Sequence, residues 1–202
     1  MRSIFSLRIT RLLLVLTVAA MVFTSAEGCS SAPHSGTPAP GGTPALRSSP
    51  TPQPTGSPRV GEVAPDFALD TLDGSRIVRL SDFRNQPVLL FFWAITCSAC
   101  VKEQPVIQRF YAQQQAASKQ LSVLAVDIDR VADFVNVATL QQRLGLTYPI
   151  LVDDHFQARM AYRITDVPLA YFLDRQHIIR SIVPGPLDET ILNRETSSIE
   201  LS

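Results

Sequence analysis

Two patterns of apolar residues alternate along the part of the chain that follows residue 58. Residues 88–93 form a continuous apolar run and residues 121–128 a nearly continuous one, and such runs are typical of strands covered on both faces. Between them, apolar residues recur every three or four positions at 97–117, as in an amphipathic helix. A buried strand, a helix and a second buried strand in this order predict a right-handed βαβ unit.

Further elements flank this unit. Before it, strands at 60–69 and 76–80 surround Asp73-Gly74, a dipeptide that favours a hairpin turn, and Ser81 begins a helical turn to Asn85. After it come a helix capped by Asp129 or Asp133 and ended by Gly145, strands at 149–152, 170–173 and 178–183, and helices at 155–162 and 187–196. From residue 88 onward the order is thus β-α-β-α-β-α-β-β-α. With the hairpin before it, this order predicts an α/β sandwich with a mixed sheet and an N-terminal β-hairpin.

The predicted helix at 97–117 has an apolar and a polar side. Pro105 lies inside it and should kink it, because proline lacks the N–H that a helix interior uses. The apolar side comprises Val101, Val106, Ile107, Phe110 and Tyr111, and the side predicted to face solvent comprises Lys102, Gln108, Arg109, Gln113 and Gln114.

Residues 1–28 have the pattern of an export signal. Arg2, Arg8 and Arg11 precede an apolar stretch at 12–23 that only Thr17 interrupts, and small residues follow. The stretch is shorter than the roughly 20 residues of a membrane-spanning helix. We therefore expect residues 1–28 to direct export, either as a signal peptide or as a lipoprotein signal.

Residues 29–58 have the composition of a disordered tether. Eight of the fifteen prolines fall there, among Ser, Thr, Gly and Ala, and such a segment buries too little apolar surface to fold. Cys29 opens it, and Gly28-Cys29 resembles the processing site of bacterial lipoproteins, although Ala26 and Glu27 depart from that pattern. We expect a lipid on Cys29 and a position at the extracytoplasmic face of a bacterial membrane.

Residues 59–202 are long enough for one domain of ordinary size. They contain 14 basic and 17 acidic residues, and no basic cluster indicates a nucleic-acid partner. The whole chain has three cysteines, so a lipid on Cys29 leaves one pair in the exported domain. An oxidising compartment closes such a pair unless something reduces it.

Cys97 and Cys100 carry the most informative chemical signal. They stand three residues apart between a predicted strand and a predicted helix, where two thiols can close a small disulfide and reopen it. The unpaired N–H groups of a helix N-terminus stabilise a thiolate at Cys97. Cys97 is therefore the expected nucleophile and Cys100 the resolving thiol, although half of a zinc site has the same spacing.

Several short motifs are spread over residues 59–196. They are Ala64-Pro65-Asp66-Phe67, Leu80-Ser81-Asp82-Phe83, residues 92–100 around the cysteines, Glu103, Pro105, Val167-Pro168 and Tyr171-Phe172-Leu173-Asp174. Together they resemble the thioredoxin-like superfamily, and within it the exported thiol-disulfide oxidoreductases of the TlpA/ResA type. This resemblance implies a three-layer α/β/α sandwich with a mixed sheet, and an enzyme that exchanges disulfides without a cofactor.

The resemblance also implies a substrate groove beside the cysteine pair. Trp93, Thr96, Val167 and Pro168 would line it, with Pro168 in the cis form, and Trp93 would also pack in the core and cover the disulfide. Thr96 stands where relatives often have tryptophan, and Leu169-Ala170 stands where small hydroxyl residues are common. These departures leave the preferred substrate open.

Glu103 is the residue expected to handle protons. Phe91 stands where thioredoxins carry a buried acid, so proton transfer must come from elsewhere. Glu103 follows Cys100 by three residues, which on a helix puts both on one face, with Glu103 one turn deeper. Burial would raise the pKa of this carboxyl and let it exchange a proton with Cys100 near neutral pH.

The partners that the resemblance implies are exported proteins with oxidised cysteine pairs, such as apocytochrome c, and a membrane thiol carrier that supplies electrons. We expect a monomer that acts mainly as a reductant. The sequence itself does not give the direction of exchange, since Ser98-Ala99 between the cysteines carries no charge.

Two other functions stay open. A peroxidase of the peroxiredoxin kind shares the fold, but it needs a threonine three residues before its reactive cysteine, where this chain has Ala94. A metal-binding or copper-delivery module would use Cys97, Cys100 and a histidine, but no second Cys-x-x-Cys completes a zinc site.

Overall fold

The computed structural model describes residues 56–130 and 133–200. The predicted leader at 1–28, Cys29 and most of the predicted tether lie outside these residues. The described residues form a seven-stranded sheet with strand order β2-β1-β5-β4-β3-β6-β7. The strands are β1 Ala68–Thr71, β2 Ile77–Arg79, β3 Val88–Trp93, β4 Ser122–Asp127, β5 Ile150–Val152, β6 Leu169–Leu173 and β7 Ile179–Pro184, and the helices are α1 Ser98–Ala116, α2 Phe134–Leu144, α3 Gln157–Ala161 and α4 Glu189–Glu200, with a 3-10 turn at Leu80–Phe83.

The sheet is mixed, with a parallel centre. Strands β3, β4 and β5 are parallel neighbours, and α1 and α2 connect them in order. Strand β6 pairs antiparallel with β3 and β7 pairs antiparallel with β6. The β1-β2 hairpin joins the other side through antiparallel pairing of β1 with β5. The predicted α/β sandwich with a mixed sheet and an N-terminal hairpin is confirmed.

Strand β3 contributes to the core on both faces of the sheet, because successive side chains of a strand point to opposite faces. Leu89, Phe91 and Trp93 pack with apolar residues of α1, α2 and α4. Leu90 and Phe92 pack with residues of β1, β2 and α3 on the other face. All six residues of β3 are buried, as its unbroken apolar sequence predicts. None of the helices within the described ranges is long and apolar enough to cross a membrane.

The first strand is shorter than predicted. Its pairing begins at Ala68, and the residues before it make only one isolated bridge, between Val63 and Ile178. Pro65 has no N–H to donate to a ladder, while its carbonyl accepts a hydrogen bond of 2.8 Å from the Tyr162 hydroxyl. Backbone hydrogen bonds between residues 61–64 and residues 177–179 hold the segment, and the Tyr162 hydroxyl adds a side-chain contact.

The helices differ from the prediction at the start of α2 and at one position inside α1. Asp133 precedes α2 without a side-chain capping bond, and Asp129 lies four residues earlier, in the loop that follows β4. Gly145 does end α2, in the left-handed conformation with φ of 61°. In α1, Gln114 is buried although the pattern placed it in solvent.

The two-sided core yields a test with a matched control. Ile179 in β7 has no exposed surface, whereas Ile77 in β2 is 54% exposed. We expect Ile179→Ala to lower the free energy of unfolding by about 2–5 kcal/mol and Ile77→Ala by about 1 kcal/mol or less, since only the first leaves a cavity. Denaturant unfolding measures the stability of both variants, and equal losses would contradict the burial of Ile179 in the core.

Candidate active site

A disulfide joins Cys97 and Cys100 at the start of α1, with Cα atoms 5.2 Å apart. Cys97 is the residue immediately before the helix and is half-buried, while Cys100 has no exposed surface. The predicted pairing is confirmed. A thiol partner in solution can reach the Cys97 sulfur but not the Cys100 sulfur, which is the arrangement that a nucleophile and a resolving thiol require.

The Cys97 sulfur lies among backbone polar groups. Its Sγ accepts a hydrogen bond of 3.1 Å from the Cys100 N–H, so the helix N-terminus is aimed at this atom. On its other side, Sγ lies 3.7 Å from the carbonyl oxygen of Val167. The Val167-Pro168 bond is cis, as expected. The loop before β6 therefore presents a backbone carbonyl beside the reactive sulfur.

The residues predicted to line a groove take different positions. Thr96 is exposed next to the disulfide, and Val167 and Pro168 belong to the lining of a cavity of about 440 Å³. Trp93 has no exposed surface and packs in the same core cluster as Cys100. Because the last residue of β3 points into the core, Trp93 covers the disulfide from inside and does not line a groove.

Glu103 lies in the core beneath the disulfide and is 3% exposed. Its Oε2 accepts a hydrogen bond of 2.7 Å from the Leu187 N–H, and no partner within the described residues reaches its buried Oε1. Burial raises the pKa of Glu103 to about 7, and the Leu187 hydrogen bond opposes part of that rise. The carboxyl can therefore exchange a proton near neutral pH, as the sequence analysis expected.

Two buried polar residues that the sequence analysis missed support Cys100. The Gln104 side chain donates a 3.1 Å hydrogen bond from Nε2 to the Cys100 carbonyl. The Tyr148 hydroxyl in turn donates to Gln104 Oε1. The spacing of four residues between Cys100 and Gln104 was a signal for this contact, whereas nothing in the sequence around Tyr148 indicated it.

Asp129 also belongs to the site, although the sequence analysis considered it as a helix cap. It is 7% exposed and accepts hydrogen bonds from the Ile95 N–H and, at 3.3 Å, from the Thr96 hydroxyl. Both donors lie in the loop that leads from β3 to Cys97. Sequence patterns did not reveal this contact because 33 and 34 residues separate the partners.

In residues 56–130 and 133–200, no three His, Cys, Asp or Glu side chains form a group that could hold a metal ion.

The buried carboxyl of Glu103 generates a prediction about pH. Its pKa rises from 4.5 to about 7 on folding, so the folded protein keeps a proton that the unfolded chain releases. The contribution of Glu103 to the free energy of unfolding should therefore fall by about 2–3 kcal/mol as pH rises from about 4.5 to about 7. Glu103→Gln should remove this fall, because the amide does not titrate and still accepts from Leu187.

Denaturant unfolding of the oxidised protein at several pH values measures the difference between wild type and variant. Glu189→Gln, on a side chain that is 61% exposed, is the matched control and should follow the wild type. A difference between wild type and Glu103→Gln that stays constant from pH 4.5 to 7.5 would contradict the raised pKa.

The chain is similar in sequence to known proteins. The model of the AhpC/TSA family matches residues 60–182. The thiol-disulfide oxidoreductase ResA of Geobacillus thermodenitrificans is 32% identical over 141 residues, which cover 70% of this chain and 78% of that protein. The thioredoxin-like protein YneN of Bacillus subtilis is 34% identical over 128 residues, 63% of this chain and 72% of that protein.

Solved structures of other proteins have the same fold as this chain. StoA from Bacillus subtilis superposes with a TM-score of 0.57 at 25% identity, over 66% of this chain and 98% of that one. A putative thiol:disulfide interchange protein DsbE from Chlorobium tepidum shares the fold, with a TM-score of 0.62 at 24% identity over 71% of this chain and 99% of that one. With a disulfide at the start of α1, the chain belongs to the thioredoxin-like AhpC/TSA family and is a thiol-disulfide oxidoreductase of the ResA type.

Proposed function

We propose that this protein is a membrane-tethered reductant of disulfides in exported proteins, at the extracytoplasmic face of a bacterial membrane. The observation that carries the proposal is the division of the cysteine pair into a half-exposed Cys97 and a fully buried Cys100. The Val167 carbonyl beside Cys97 Sγ adds a backbone group that an approaching peptide can meet. Substrates are oxidised cysteine pairs of exported proteins, with apocytochrome c as one example.

The reaction begins with the reduced pair. The Cys97 thiolate attacks one sulfur of a substrate disulfide, so that a bond forms between Cys97 Sγ and that sulfur. The substrate's own S–S bond breaks, and its second sulfur leaves as a thiolate that takes up a proton. The helix N-terminus assists because the Cys100 N–H points at Cys97 Sγ and stabilises the attacking anion.

Resolution requires the buried thiol to lose its proton. Cys100 Sγ then attacks Cys97 Sγ, which reforms the Cys97–Cys100 disulfide and releases the second substrate thiolate. Two electrons have passed from the protein to the substrate. Glu103 supports this step as the acceptor of the Cys100 proton, since its pKa of about 7 makes it a base that works at neutral pH.

The small number of groups that stabilise the Cys97 thiolate supports the reductive direction. A strongly stabilised thiolate makes a disulfide oxidising. Within the described residues, the hydrogen bond that Cys97 Sγ accepts comes from a backbone N–H, and Ser98-Ala99 brings no charge into the active-site turn. The disulfide is therefore favoured over the dithiol, which is the property of a reductant. In an oxidising compartment such a protein needs a membrane thiol carrier to reduce it again.

The direction can be measured by redox titration of the full chain against thiol buffers. We expect a reversible two-electron couple near thioredoxin's roughly −270 mV, and no such couple in Cys97→Ser or Cys100→Ser. A potential near −120 mV would make the protein an oxidant. Absence of a reversible couple in the wild type, or rapid consumption of peroxide by it, would contradict disulfide reduction as the function.

The tether is tested separately, with Cys29→Ser in the full chain expressed in a bacterium that processes lipoproteins. The wild type should be recovered with membranes and carry a lipid on Cys29, because two or more acyl chains hold a protein at a bilayer. The variant should lose the lipid and move to the soluble exported fraction. Mass spectrometry of the N-terminal peptide and fractionation check both, and an unmodified Cys29 in membrane-bound protein would overturn this assignment.

A further inference from the structure

Two aspartates, Asp127 and Asp129, lie at the C-terminal end of β4, next to the loop that leads to Cys97. Asp127 is the last residue of β4 and pairs in parallel register with Trp93, the last residue of β3. The Ile128 N–H donates a 3.0 Å hydrogen bond to the Trp93 carbonyl, which continues the pairing by one step. The chain therefore leaves both strands at the same edge of the sheet, where Asp129 meets residues 95 and 96.

Asp129 is built into this loop by two contacts. One of its oxygens accepts from the Ile95 N–H and the other from the Thr96 hydroxyl. Since Thr96 is bonded directly to Cys97, these hydrogen bonds fix the backbone that aims the reactive sulfur. They also bring a carboxylate close to the thiol that must become an anion.

Asp127 is fully buried, and only one of its two oxygens accepts a hydrogen bond from a described residue. Its Oδ1 accepts a 3.1 Å hydrogen bond from the Asp129 N–H, whereas no donor within the described residues reaches its Oδ2. A buried, ionised carboxylate with an empty oxygen is costly. A proton on Oδ2 removes the charge and turns the orphaned acceptor into a donor.

The titratable groups that shift the pKa of Asp127 within the described residues are acidic. Burial raises the pKa of Asp127 to about 8, and the Asp129 side chain and the charges of Asp129 and Asp133 act in the same direction. Asp129 lies on the loop after β4, and Asp133 precedes α2. Like charges that share one site favour a proton on one of them.

We propose that Asp127 and Asp129 share one proton, which Asp127 Oδ2 donates to the Asp129 carboxylate. The single remaining charge, on Asp129, then positions the Cys97 loop and makes the Cys97 thiol a weaker acid. Asp129 acts through the loop, as a positioning residue. The proposal concerns the thiol chemistry of Cys97 and holds whatever the substrate, the direction of exchange or the location of the protein.

The charge on Asp129 affects the reactivity of Cys97. One negative charge beside the loop disfavours a second one on Cys97 Sγ, so the Cys97 thiolate is less stable than the helix N-terminus alone would make it. The shared proton limits this effect to one charge. Loss of that proton above about pH 8 adds a second charge, so the thiolate is disfavoured further.

The test is the pH profile of Cys97 alkylation in the reduced full chain, with the labelled peptide identified by mass spectrometry. Asp129→Asn keeps an oxygen for the Ile95 N–H and removes the charge, so the pKa of Cys97 should fall by about one unit. Asp127→Asn should leave this pKa near the wild-type value below pH 8, because an amide N–H donates to Asp129 as the protonated acid does.

The matched control is Asp70→Asn. Asp70 is exposed and lies in the same row of the sheet as Asp127, with Val152 of β5 between them, so it is about 10 Å away across two strand spacings. This variant should follow the wild type. An unchanged Cys97 pKa in Asp129→Asn would overturn the role of Asp129, and a fall in Asp127→Asn as large as in Asp129→Asn would overturn the shared proton.

A measurement that leaves both aspartates in place keeps the proposal testable if an aspartate variant fails to fold. Infrared spectra of Glu103→Gln, which lacks the other buried acid near the disulfide, should retain a protonated-carboxyl band that disappears as pH rises through about 8. Absence of that band at neutral pH would also overturn the shared proton. The redox titration of the wild type tests the proposed function separately, since a reversible couple at a reducing potential can be present whether or not the two aspartates share a proton.

Discussion

Six residue pairs join β3 to β4 in parallel, from Val88 opposite Ser122 to Trp93 opposite Asp127. This pairing decides where the chemistry takes place, because the carboxyl ends of parallel strands meet at one edge of the sheet. The loop after β3 must turn there into α1, and the helix N-terminus that results is where Cys97 lies. The position of the disulfide thus depends on strand register more than on any contact of the cysteines themselves.

The same edge collects polar groups that a core normally excludes. Glu103, Gln104 and Asp127 are each 3% exposed or less, and no donor in the described part of the chain reaches Glu103 Oε1 or Asp127 Oδ2. Such groups lower stability, and apolar packing on both faces of β3 offsets the loss. The site therefore gains carboxyls that bind and release protons near neutral pH at the expense of stability.

The central elements could be predicted from the sequence because their signals are local. An unbroken apolar run gave β3 with its observed ends, and the cysteine spacing gave the disulfide. Prediction was weaker where a distant contact decides. Pro65 is held by the Tyr162 hydroxyl, and Gln114 is buried although its helical position indicated solvent.

The functional side chains divide in the same way. The position of Glu103 follows from helical spacing after Cys100, so its burial could be expected. The contact of Asp129 with Ile95 and Thr96 joins two loops through strand register, and a pattern along the chain carries no such information. For Trp93 both a groove and the core were expected, and the pleat of β3 turns the side chain into the core.

The two edges of the sheet bear on how such a domain behaves when many copies are crowded together. Strand β2 has only three residues and ends in Arg79, and β7 ends in Pro184, which has no N–H to offer a neighbour. Short, charged or proline-bearing edges discourage the strand-to-strand association that leads to aggregation. Copies held at high local density can therefore collide without their sheets merging, while the exposed sulfur stays available to other proteins.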